Sequence, residues 1–170
     1  GVAEPYLVAV RGLGTATSVA QLSPQSIDFG AVEIGGGTED RRVTLRNAGS
    51  APLTATSVAI EGDADFRIVH EDCKPMAISP DAECAIDLRL APTAAAARRA
   101  TLVINDNASG SPRSVALSGE GHATLRLDVR PGNLDFGKQE VGTRSATQPV
   151  RLRNIGNVLL DQGDLAGAAR

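Results

Sequence analysis

Apolar residues recur at every second position through most of the chain, the period of a strand with one buried face. Ile27 and Phe29 alternate with Ser26 and Asp28, and Val43 and Leu45 alternate with Arg42, Thr44 and Arg46. Val58 and Ile60 continue the pattern, followed by Phe66 and Ile68. Cys84, Ile86, Leu88 and Leu90 form one long alternating run, Ala100, Leu102 and Ile104 another, and Val115 with Leu117 closes the set. Turn chemistry separates these runs: Gly35-Gly36-Gly37, Asn47-Ala48-Gly49, EGDAD from Glu61, Pro80-Asp81, Pro92 and NDNASGSP from Asn105. Glycine and asparagine tolerate positive φ, which suits them to tight reversals. Seven or eight strands with one apolar face each predict an all-β antiparallel sandwich. One stretch, TAAAARRA over Thr93–Ala100, favours helix by propensity. It is too short for a helix that stands alone and reads as a turn running into a strand.

The pattern also repeats on a larger scale. A single offset of 107 in residue number lays the chain on itself without a gap. Pro24 falls on Pro131, Asp28-Phe29-Gly30 on Asp135-Phe136-Gly137, and VTLRNAG from Val43 on VRLRNIG from Val150. PYLVAVRGLGTA from Pro5 likewise falls on PRSVALSGEGHA from Pro112. A period this long exceeds any solenoid unit and matches a self-contained sandwich. The expected organisation is the last strand of a preceding repeat at 1–16, a complete sandwich at 17–123 and the first strands of a following, incomplete repeat at 124–170. The opening GVAEPYLVAV, with no initiator Met, basic segment or signal core, reads as the interior of a longer chain.

Composition narrows the class of role. With three Phe, one Tyr and no Trp, the core must be built from aliphatic side chains. A net charge of −3 with interspersed signs provides no basic stripe for a phosphate backbone, and few rings are available for stacking bases. Nucleic acid is therefore not an expected partner. No apolar run is long enough to span a bilayer, so no membrane insertion is expected in this segment.

At this point the residues resemble a known family. LSPQSIDFGAVEIGG, from Leu22, and VTLRNAGSAPL, from Val43, resemble the opening of ASH-type (ASPM, SPD-2, hydin) immunoglobulin-like domains. The continuation from Asp72 is more specifically similar to bacterial choice-of-anchor D repeats. It carries paired cysteines around a proline-containing turn, an A-P-T step and a closing L-S-G-x-G. The resemblance implies tandem immunoglobulin-like antiparallel β-sandwich domains in secreted or surface-exposed bacterial arrays. It supplies no catalytic residues and no cofactor.

Cys73 and Cys84 are the only cysteines. A disulfide between them would close a short loop, stabilise by roughly 3 kcal/mol and imply an oxidising compartment. Two buried thiols, or a zinc site that adds His70, are the other readings. Asp63 and Asp65 in EGDAD, and Asp106 between two asparagines, offer oxygen ligands for calcium, although such residues are also what turns prefer. Gly12 and Gly14, like Gly119 and Gly121, fall at repeat joints and are read as interdomain turns. Tyr6, Val8 and Val10 form a candidate edge for strand pairing with another chain.

These features point to a non-enzymatic structural or interaction module: a stalk, adhesin or filament component on the bacterial surface or in the periplasm. Expected partners are neighbouring repeats or copies of itself, with no small-molecule ligand. The alternatives are a carbohydrate- or protein-binding accessory domain of a larger secreted protein, and an intracellular ASH-type scaffold. The first suffers from the shortage of aromatic platforms; the second requires reduced cysteines.

Overall fold

A computed structural model describes residues 8–160 of the chain. Eight strands build a two-sheet sandwich: β1 (Ala20–Ser23), β2 (Ser26–Glu33), β3 (Arg41–Asn47), β4 (Ala55–Gly62), β5 (Phe66–Glu71), β6 (Glu83–Leu90), β7 (Ala97–Asp106) and β8 (Arg113–His122). Two more, β9 (Leu127–Arg130) and β10 (Arg151–Asn154), form a separate ribbon. The sheets run β1-β3-β6-β5 and β2-β8-β7-β4. Among the described residues no helix is long and apolar enough to cross a membrane.

Pro24 separates β1 from β2 and marks a change of sheet. Proline has no N–H to give to a ladder, so pairing breaks there. Before the break, β1 pairs antiparallel with β3; after it, β2 pairs parallel with β8. The sandwich is thus not wholly antiparallel, as alternation alone suggests. Alternation fixes which face a side chain takes, but it carries nothing about the direction of the neighbouring strand.

The alternating residues meet between the sheets. Val43, Leu45, Ile86, Leu88 and Leu90 on one sheet face Leu102, Ile104, Val115 and Leu117 on the other, all essentially inaccessible to solvent. Phe29 and Phe66 come from opposite sheets and stack at 5.7 Å between ring centres, tilted by 57°. Two of the three phenylalanines thus join the layers of an otherwise aliphatic core. The alanine-rich stretch after Pro92 stays non-helical until β7 begins at Ala97.

The D-F-G opening of the repeat has a local explanation. Asp28 Oδ1 accepts the Gly30 N–H at 3.0 Å and the Ser118 hydroxyl at 3.1 Å, Phe29 points inward, and Gly30 takes φ +69°. The β2–β8 register slips across this point, between Asp28 and Ala31. A residue with a Cβ would be strained at that φ.

Two sequence expectations change here. Gly119 and Gly121 are not in an interdomain turn but inside β8. A Cβ on Gly119 would strike the Leu90 side chain, and one on Gly121 would strike the Ala94 carbonyl. They are glycines because a loop and a core leucine pass close over the strand. Tyr6 lies outside the described residues, while Val8 and Val10 belong to no strand and are 83% and 89% exposed. Gly12 and Gly14 follow in the same exposed, non-strand stretch.

Candidate functional site

The most distinctive surface begins after β8. In the first unit, Ala20 pairs with Asn47 and Leu22 with Leu45; in the ribbon, Leu127 pairs with Asn154 and Val129 with Leu152. Each ribbon residue is its first-unit counterpart plus 107, so the two ladders have the same register. The turns agree as well. Asn47 donates to the Ala51 carbonyl and accepts the Gly49 N–H, and Asn154 treats Val158 and Gly156 in the same way. Gly30 and Gly137 both adopt positive φ, and each donates its N–H to the aspartate two residues before it.

What differs is the cover. Phe29 is 7% exposed and its counterpart Phe136 is 45%; Leu45 is fully buried and Leu152 is 47% exposed. Leu134 and Val150, whose counterparts Ile27 and Val43 are buried, are exposed too. In the first unit the two sheets close this face on each other, and the edges are paired by β6, antiparallel to β3, and by β8, parallel to β2. Among the described residues β10 pairs with β9 alone, and residues 133–140 form no strand. The result is an apolar, open-edged two-stranded ribbon.

The ribbon is tied to the sandwich. Asn157 donates to the Ile34 carbonyl at 3.0 Å while its Oδ1 accepts the Thr124 N–H at 2.6 Å. Ile34 in turn donates its N–H to the His122 carbonyl. One amide side chain therefore bridges the entry of the second unit to the loop after β2.

Cys73 and Cys84 are joined, with sulfurs 1.99 Å apart and Cα atoms 5.0 Å apart, and both are buried in the core. Asp72 lies beside them, its carboxylate accepting the Ala85 N–H. His70 Nε2 stands 4.0 Å from Asp72 on an exposed edge. Disulfide sulfurs are neither thiolate ligands nor nucleophiles, so this grouping offers neither the zinc set nor a Cys–His pair.

The three carboxylates considered for calcium do not converge. Asp106 sits opposite Ala55 at the start of β4, whereas Asp63 and Asp65 follow its far end, a whole strand length away. Each is occupied by protein donors. Asp106 holds the β7–β8 turn through the Ala108 N–H and the Arg113 guanidinium, and Asp63 accepts the Arg99 N–H. Asp65, nearly buried, accepts the Thr93 N–H and hydroxyl and lies 2.6 Å from Arg98 Nε. That N–H is not aimed along a hydrogen bond, so the contact is a charge pair. Burial acts to raise the Asp65 carboxyl, but the Thr93 and Arg98 contacts outweigh it and hold it below the ordinary carboxylate range. Hydrogen bonds from Arg42, at 2.8 and 2.9 Å, hold Asp87 low as well.

Sequence reasoning missed the role of Asn47. It reads as a turn residue, yet it is fully buried and donates to the Ile78 carbonyl 31 positions away, pinning the 78–82 loop to the end of β3. Its tolerance of turns masked a long-range bond that no local pattern encodes.

Comparison with known proteins agrees with this architecture. The family model for ASH, "Abnormal spindle-like microcephaly-assoc'd, ASPM-SPD-2-Hydin", matches residues 17–114, more than half of the chain. A crystal structure of a protein of unknown function from Porphyromonas gingivalis W83 superposes with a TM-score of 0.52 at 23% identity, over 61% of this chain and 47% of that one. The secreted serine protease VesC from Vibrio cholerae gives 0.47 at 17% identity, over 68% and 24%. The ASH / PapD-like domain 7 of human CEP192 gives 0.46 at 14%, over 72% and 97%. The chain thus spans less than half the length of the first two. No curated protein matches it. The chain belongs to the ASH family and has its immunoglobulin-like sandwich fold.

Proposed function

We propose that this ASH-family chain is a non-enzymatic interaction module, a segment of a tandem array of immunoglobulin-like units in a secreted or surface-exposed bacterial protein. Its role is mechanical and geometric: stiff sandwiches carry binding surfaces along a stalk, adhesin or filament. The observation that carries this reading is the single offset between the two units, kept in sequence, ladder register and turn hydrogen bonds alike. Partners are neighbouring units or further copies. The buried Cys73–Cys84 disulfide supports an oxidising location, because such bonds persist chiefly outside the cytosol. The similarity to choice-of-anchor D repeats supports the surface setting.

Thiol trapping on protein from its native source tests this reading. Free thiols are alkylated, the sample is reduced, and intact mass is compared before and after. Protection of Cys73 and Cys84 until reduction is the expected result. Immediate alkylation of both would remove the surface setting and favour an intracellular scaffold.

A further inference from the structure

The half-sandwich after β8 exposes the face that its counterpart buries, and the counterpart shows what kind of partner closes it. We infer that the apolar face of residues 127–155 is a docking surface for a polypeptide segment with the strand chemistry of this chain's own residues 64–123. The inference rests on the tandem reading above and names the occupant of its open unit.

The first unit specifies that occupant position by position. One strand must run antiparallel to β10 and place apolar residues opposite Val150 and Leu152, as Ile86 and Cys84 stand opposite Val43 and Leu45. A second must run parallel to residues 133–140 and place an apolar residue opposite Leu134, as Leu117 stands opposite Ile27. An aromatic ring is required against Phe136, as Phe66 packs on Phe29. Arg153 also calls for an acidic residue, since its counterpart Arg46 is paired with Asp81 at 2.9 Å. A second copy has no such strands to lend: β6 is held between β3 and β5, and β8 between β2 and β7. Its exposed Val8–Val10 stretch matches only part of one strand, that carrying Val115 and Leu117.

Grafting tests the inference with this chain's own sequence. Arg170 aligns with Asp63, so residues 64–123 appended after Arg170 continue the repeat in phase. Amide exchange is then followed at Phe136, Val150 and Leu152 in the 170-residue chain, in the graft, and in a graft whose appended copy carries Ile86→Asp and Leu117→Asp. The expected result is slowing by about a hundredfold or more in the graft, since covered strands open only with their unit. The doubly substituted graft is expected to return to the rates of the parent chain. Unchanged exchange in the intact graft overturns the inference. So does sedimentation showing that the parent chain associates with itself while these three amides become protected, which would make a second copy the occupant. Thiol trapping is independent of either outcome, so a failed graft leaves the surface reading standing, and reduced cysteines leave the graft result standing.

Discussion

Leu45 and Leu152 occupy the same place in the same local ladder, yet one is sealed and the other is half in water. The difference lies wholly in cover. Both residues follow the same turn chemistry and pair with an antiparallel neighbour. Only Leu45 has a second sheet packed above it and β6 beside it. Register, then, is a local property that a short stretch of sequence sets through alternation and turns, while burial is a property of the whole sandwich. An isolated two-stranded ribbon is marginal in water, so β9–β10 is expected to be a preorganised but weakly held element.

Paired substitutions sharpen that contrast most. Leu45→Ala removes a fully buried side chain and is expected to cost about 3 kcal/mol in urea unfolding of the first unit. Leu152→Ala is expected to change the same transition by less than about 0.5 kcal/mol. Equal losses would mean that the ribbon is covered after all. Next comes the disulfide. It closes a short loop, and opening that loop by Cys73→Ser with Cys84→Ser is expected to cost about 3 kcal/mol or somewhat less. Amide exchange should place that loss in the first unit, faster at Val43 and Leu45 and unchanged at Val150 and Leu152.

Asn47→Ala is expected to cost about 2 kcal/mol, because it removes a fully buried amide's bond to the Ile78 carbonyl together with its turn bonds to Ala51 and Gly49. Asn154→Ala breaks only the local turn and should cost well under half as much, by the same unfolding measurement. The smallest effect is on pH dependence. Asp65 and Asp87 are held low in the folded chain, so their contribution is complete above the unfolded carboxylate value, about 3.9, and is lost as pH falls through their folded values. Midpoints measured from pH 5 downward should fall first for the complete unit. Asp87→Asn should flatten that decline, and a decline of unchanged steepness would contradict the assignment.

Much of this molecule is legible from residue order because the decisive signals are local. Alternation locates the strands of the first unit, and the D-F-G and N-x-G stretches mark side-chain-to-backbone bonds that recur at the same offset further along the chain. Pairings over long separations are not legible. The parallel β2–β8 pair, the Asp65–Arg98 contact and the Asn47–Ile78 bond each join residues whose sequence neighbourhoods contain nothing about one another. Glycine misleads for a physical reason: the missing Cβ serves a reversal and a close crossing equally well, and at Gly119 and Gly121 it serves the crossing.

The β1–β3 and β9–β10 ladders share one register and differ in cover, and residue-resolved hydrogen exchange on the intact chain addresses that claim most directly. The account predicts that amides of Val43 and Leu45 exchange about a hundredfold or more slowly than those of Val150 and Leu152, with Leu45 and Leu152 both showing strand-like chemical shifts. Comparable protection at the four positions would contradict it, as would loss of the strand shift at Leu152.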